Sequence, residues 1–128
     1  MNIIALLTDF GLKDGFVGSM KGVILSINSN ANIIDISHDI ESFNIIEGSV
    51  VLNATYRYFP KNTIFVSVID PGVGTERKAI LVKTEDYYFL SPDNGLLTLP
   101  LKHQKIEKMI RFCNVNQHSI YIKYTNQI

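Results

Sequence analysis

The sequence has no tryptophan, a single cysteine and four prolines among its 128 residues. One cysteine, Cys113, can close no internal disulfide, and no metal-ligand spacing surrounds it. A disulfide-stapled secreted module is thereby excluded, and a reducing, cytoplasmic setting is expected. No charge sign is in excess, since 12 basic side chains meet 12 acidic ones. Neither a nucleic acid nor a membrane surface is therefore expected as a partner. No apolar run reaches the roughly 18 residues of a membrane span. Met1 to Leu7 is apolar but short, without a basic leader or a small-residue cleavage pattern, so no signal peptide is expected. There is no internal repeat, linker or low-complexity stretch. A Gly-rich phosphate loop is also missing after the first apolar run, where only Gly11 precedes the next helical pattern. That absence argues against a generic flavodoxin-like phosphate binder.

Hydrophobic residues make up 46% of the chain, enough for a packed core and too many for disorder. Asn2 to Thr8 is an unbroken apolar run and reads as a buried strand. From Asp14 to Ile27, apolar residues at Phe16, Met20, Val23, Ile24 and Ile27 fall on one helical face. Ile33 to Ile36 is a second short strand, and Ser37 to Phe43 a polar loop. Asn44 to Phe59 predicts a second helix, with Ile45, Val51 or Leu52, and Tyr56 inward, weakened by Gly48 and stopped by Pro60. Thr63 to Ile69 is the strongest strand by β-branched content. Lys78 to Lys83 and Tyr87 to Leu90 predict a hairpin, and Ile106 to Phe112 and Ser119 to Tyr124 further strands. Strand and helix alternate in the first half and strands dominate the second. The expected class is α/β, a three-layer domain whose sheet is parallel at first and mixed later, flanked by helices.

Three acid-bearing breaks follow strands, at Asp9, Asp70 and Asp93. Ligands of open α/β sheets bind beyond the carboxyl ends of strands. A carboxylate at Asp9 can accept hydrogen bonds from both hydroxyls of a ribose, and its plain alternative is a turn residue. Asp14 can face a ligand ammonium or simply cap the first helix. Asp70 and Arg77 flank the Gly-containing loop Pro71 to Thr75, as a site or as an ion pair bracing a hairpin. His38 reads as a satisfied structural residue. His103 and His118 read as surface residues. Asp35, His38 and Asp39 make only a faint metal pattern, because no second cluster completes it. Tyr56, Tyr58 and Phe59 read as core and interface side chains. Residues alone thus reach an α/β domain that binds a nucleoside-like small molecule.

Several stretches taken together resemble one family. They are Thr8-Asp9-Phe10-Gly11-Leu12-Lys13-Asp14, Val17-Gly18-Ser19-Met20-Lys21-Gly22, Ile33-Ile34-Asp35-Ile36-Ser37-His38, Glu47-Gly48, Phe59-Pro60, Val68 through Arg77, and Pro92-Asp93-Asn94-Gly95. Their order and spacing make the set specific where each alone is weak. The chain resembles the S-adenosylmethionine hydroxide adenosyltransferases, or S-adenosylmethionine hydrolases, relatives of fluorinating and chlorinating enzymes. The resemblance implies attack of water or hydroxide on ribose C5′ of S-adenosylmethionine, giving adenosine and L-methionine, with no metal or cofactor. It implies that Asp9 holds the ribose hydroxyls and Asp14 the methionine ammonium. Phe10, Phe43 and Asn94 would join them as substrate contacts. Asp70 and Arg77 match two catalytic members of an Asp-Arg-His set that positions water. The halogenating relatives carry no aspartate at the position of Asp70, so hydroxide is the expected nucleophile.

The family pattern continues into a Thr-Phe-His-Gly-Arg-Asp segment and a second, mostly β domain that this sequence does not contain. His118, in Asn116 to Ile120, does not match the catalytic histidine. The expected division is a family N-terminal domain over 1–113 and a divergent tail over 114–128, the chain being truncated. The resemblance implies a homotrimer with the substrate between subunits, or a separately encoded fragment that supplies the other wall. Exposed apolar surface is expected where that wall would sit.

Overall fold

The computed structural model describes residues 2–71 and 78–113. The chain runs through strand β1 (Ile3–Thr8), helix α1 (Phe16–Ile27), β2 (Asn32–Ser37) and α2 (Ile45–Thr55), which continues as a 3-10 turn at Tyr56–Tyr58. Then come β3 (Ile64–Val68), β4 (Lys78–Thr84), β5 (Tyr88–Pro92), the short helix α3 (Thr98–Leu101) and β6 (Ile106–Cys113). Among the described residues the strands form one sheet in the order β2-β1-β3-β5-β4-β6. Strand β1 is parallel to β2 and β3, and β3 to β5, whereas β4 is antiparallel to both β5 and β6. The expected α/β class, parallel first and mixed later, is the one observed.

Side chains alternate across a strand, so each central strand feeds two cores. Ala5 and Leu7 of β1 pack with Leu52, Tyr56 and Phe65 on the α2 side. Ile4 and Leu6 pack with Met20, Ile24, Val66 and Val68 on the α1 side. Helices cover both faces, which is why β1 and β3 read as continuous apolar runs. Burial of each such large side chain contributes about 1.5–3 kcal/mol.

The structure corrects several expectations. Helix α1 begins at Phe16 rather than Asp14. Its buried face is Val17, Met20 and Ile24, while Phe16 is 67% exposed. At the first helical position Phe16 turns outward and meets the ring of Phe10 at 6.1 Å. The second helix does not run to Phe59. It tightens into the 3-10 turn after Thr55, and Phe59 is extended (φ −88°, ψ 152°), as the residue before a proline must be. Inside this segment Leu52 and Tyr56 are buried, as expected. Gly48, the residue that weakened the prediction, is what lets α2 sit down. A Cβ there would lie 2.1 Å from Cδ1 of Ile69 and 2.9 Å from Cδ1 of Leu96. The final strand of the hairpin runs two residues further than expected, to Pro92. Helix α3 lies outside the elements expected; its Pro100 is tolerated within the first turn, where no intrahelical N–H bond is required. The expected strand at 119–124 lies outside the described residues.

The register decides where function can reside. Thr8 pairs with Val68, and Leu7 with Ser37, so β1, β2 and β3 end level. Strand β5 runs parallel to β3, so the turn after it opens on the same edge.

Candidate functional site at the carboxyl edge of the sheet

Thr8 closes β1 and is fully buried. Its Oγ1 lies 2.7 Å from Nδ1 of His38, which follows β2 and is 5% exposed. Nε2 of His38 lies 2.7 Å from Oδ1 of Asp35, and Oδ2 of Asp35 accepts from Nζ of Lys21 at 2.6 Å. Directions follow from chemistry. A carboxylate only accepts, so Nε2 carries the proton, and in the uncharged ring Nδ1 accepts from the Thr8 hydroxyl. That hydroxyl oxygen then accepts from the Phe10 amide at 3.2 Å. Partial burial pushes the Asp35 carboxyl up, but hydrogen bonds from Lys21 and His38 and the positive charge of Lys21 outweigh it and hold it below its usual range. The His38 carbonyl also takes the amide of Gly11 at 2.7 Å. Gly11 adopts φ 71°, a left-handed conformation that favours glycine. The loop after β1 is therefore tied to the loop after β2 by both backbone and side chain.

Asp9 supplies a third tie. Its Oδ2 accepts from the Phe43 amide at 2.7 Å, across 34 residues of sequence. Phe43 sits at φ 62°, costly for a bulky residue, and its ring is 60% exposed. Strain of about 1–3 kcal/mol persists only where surrounding contacts over-determine it, and such residues gather at ligand sites. Asp9 is only partly buried, so the carboxylate is open to further donors. Leu12 and Phe43 on these two loops, and Phe16 at the start of α1, are exposed apolar side chains.

A second group lies beyond the neighbouring strand ends. Asp70, two residues past Val68, is 3% exposed. Asn94 donates from Nδ2 to the Ile69 carbonyl at 2.9 Å and accepts the Leu96 amide at 3.2 Å. Its amide braces the turn after β5 against the segment that carries Asp70. Asp93 is held by Arg111 at 2.8 Å. Asp14 accepts the Phe16 amide at 3.1 Å, closing the turn that leads into α1, with its carboxylate exposed. This is close to the capping alternative, although the helix boundary falls at Gly15. Asp9, Phe10, Asp14 and Phe43 thus share one loop pair, and Asp70 and Asn94 share another, on one edge of the sheet. Arg77, with 72–77, and His118 lie outside the described residues. His38 is the satisfied structural residue expected, with both ring nitrogens engaged. No group of three His, Cys, Asp or Glu side chains able to hold a metal exists among the described residues. No described helix is long and apolar enough to cross a membrane.

Sequence reasoning missed the four-residue chain from Lys21 to Thr8. Its one legible signal is the i, i+3 spacing of Asp35 and His38 at a strand end.

The fold is an α/β domain that gathers polar side chains at the carboxyl ends of parallel strands, the edge where open sheets of this kind bind ligands. Residues 4–126 match the SAM hydroxide adenosyltransferase N-terminal domain, and the chain belongs to that family. It is 48% identical over 116 residues to the (R)-S-adenosyl-L-methionine hydrolase of Methanocaldococcus jannaschii, covering 87% of this chain and 44% of that protein. It is 28% identical over 123 residues to a fluorinase of Actinopolyspora mzabensis, covering 78% of this chain and 41% of that protein. An uncharacterized conserved protein from Thermotoga maritima superposes with a TM-score of 0.82 at 47% identity, over 84% of this chain and 42% of that one. The chain spans less than half the length of each of these three relatives.

Proposed function

We propose that this chain provides the ribose- and methionine-binding half of a site that cleaves S-adenosylmethionine with water or hydroxide. Oxygen forms a bond to ribose C5′, the C5′–S bond breaks, and its electron pair stays on sulfur. Methionine leaves as a neutral thioether, so the leaving group needs no acid, and the water proton passes to solvent or a nearby base. The protein's work is to hold an in-line nucleophile against a fixed ribose. Asp9 holds the ribose hydroxyls, Asp14 meets the ammonium, and Phe10, Phe43 and Asn94 complete the substrate contacts. Asp70 and Arg77 orient the water. No metal or cofactor enters. The observation that carries this reading is the Asp9 carboxylate, fixed by the strained Phe43 amide at the strand ends, with Asp70 following the adjoining strand. The hydrolase at 48% identity supports the reaction.

We further propose a cytoplasmic homotrimer in which a neighbouring subunit supplies the pocket's other wall. The exposed Leu12, Phe16 and Phe43 beside Asp9 favour such a wall. Incubation with S-adenosylmethionine should release adenosine and methionine in equal amounts, and Asp70→Ala should abolish release. No adenosine from the chain, alone or with a C-terminal fragment of a longer relative, would sink the proposal.

A further inference from the structure

The reading of Asp9 as a ribose ligand leaves a question of precision. A carboxylate on a loop discriminates a diol only if the loop is held, because imprecision of about an ångström forfeits most of the gain from positioning. The loop after β1 has no helical or strand hydrogen bonds of its own between Asp9 and Gly15. What holds it is polar and comes from elsewhere. Thr8 and His38 are buried, so no solvent competes for their hydrogen bond. Every donor in the series has one acceptor, running from Phe10 N–H to Thr8 Oγ1, from Thr8 O–H to His38 Nδ1, and from His38 Nε2–H to Asp35. Lys21 of α1 anchors the far end, which ties the helix that follows the loop to the strand that flanks it. Bonds in such a series reinforce one another in a low-dielectric interior.

We propose that the Lys21–Asp35–His38–Thr8 series is the device that positions Asp9, with His38 a positioning residue whose contribution to ligand discrimination passes through the Thr8 hydroxyl to the loop. The inference rests on the ribose role of Asp9. It needs no contact between His38 and ligand, and it explains why a buried histidine carries a carboxylate partner at a strand end while forming no metal cluster.

The test uses the whole chain and two readouts. Amide hydrogen exchange at Phe10, Gly11 and Phe43 reports loop order, with Leu52 and Val66 as core references. Calorimetric titration with adenosine and with 2′-deoxyadenosine reports whether the ribose diol is read. The wild-type protein should prefer adenosine by about tenfold or more, the scale of a hydrogen bond to a charged group. Thr8→Val, which keeps shape and removes the hydroxyl, should speed exchange at the loop amides about tenfold and bring the adenosine preference close to one. Thr8→Ser should restore both. Asp35→Ala, at a half-exposed position that does not threaten the core, should act like Thr8→Val. Loop exchange unchanged in both Thr8→Val and Asp35→Ala overturns the proposal. Core amides that accelerate as much as loop amides also overturn it, since the effect is then global. A wild-type preference that survives Thr8→Val overturns the positioning role alone. A wild-type protein that binds both nucleosides equally, or neither, overturns the ribose reading of Asp9 itself.

Discussion

Gly48→Ala is the sharpest test of how the fold sets the site. The added methyl would lie 2.1 Å from Cδ1 of Ile69 and 2.9 Å from Cδ1 of Leu96. Both atoms end flexible side chains, which in open space would swing away. Here Ile69 and Leu96 are each 0% exposed, packed in the α2-side core. An extra methyl in a full core costs about 1–3 kcal/mol. Alanine regains about 1 kcal/mol of helix propensity over glycine. A contact as close as 2.1 Å belongs at the upper end of the packing cost, so the net loss should be about 2 kcal/mol. Urea unfolding should show a midpoint lower by roughly 1 M with an unchanged slope. Ile69→Val deletes the offending Cδ1 and alone costs about 1 kcal/mol. In the double variant the two costs should fall short of additive by about 1 kcal/mol or more, because one removes the clash made by the other. A Gly48→Ala protein as stable as wild type, or strict additivity in the double variant, would refute the reasoning. Asp70 follows Ile69 directly, so the single variant should also lose S-adenosylmethionine cleavage beyond its loss of folded protein, and the double variant should recover it.

Asp9→Asn keeps an acceptor for the Phe43 amide but removes the charge, and should weaken adenosine binding about tenfold or more by calorimetry with little change in unfolding midpoint. Leu52→Ala, at a fully buried position under α2, should cost about 2–5 kcal/mol in urea unfolding. Asp35 contributes a pH dependence of known sign. Its folded carboxyl is held below the 3.8 of the unfolded chain, so its stabilisation is complete above that value and is lost as pH falls through the lower folded one. Solvent screening at this partly exposed group keeps the effect small, and Asp35→Asn should flatten the acid limb of stability against pH. Arg111→Ala, which breaks a half-exposed pair with Asp93, should cost no more than about 1 kcal/mol.

Where one face of a segment decided its fate, the residues were legible. The run from Ile3 to Thr8 names a doubly buried strand because nothing polar interrupts it, and the β-branched run Ile64 to Val68 does the same. Where two effects competed, the reading slipped. Phe16 fits the helical period of Met20 and Ile24, yet Val17 takes its place inside and Phe16 meets the Phe10 ring at a tilt. The outer face of α2 carries Ile46 and Val50, so no amphipathic stripe marks its inner side. The four residues of α3 are too few to show a helical period, and the first turn needs no N–H from Pro100. The acids at Asp9 and Asp14 were found because strand ends are where ligands bind. Thr8 was not, because a threonine at a strand end announces nothing until its partner arrives from 30 residues away.

The two halves of the site also differ in what holds them. Around Asp9 the grip is polar: the two loops after β1 and β2 are joined through His38, Gly11 and the Phe43 amide, at lengths of 2.7 Å. Before Asp70 the backbone is set by packing, with Gly48 admitting Ile69 beneath α2 and Asn94 tying the Ile69 carbonyl. Polar ties define angles well and are sensitive to single atoms, whereas packing defines position and fails by displacement. A ribose diol needs hydrogen-bond angles; an in-line water needs its distance to C5′. The division of supports therefore matches the division of labour proposed for the two carboxylates. Thr8→Val should then alter nucleoside preference while sparing the Asp70 side, and Gly48→Ala should alter turnover while sparing nucleoside preference. The opposite pattern, with either variant changing both in proportion, would mean that the carboxyl edge behaves as one rigid body and that the supports are not separable.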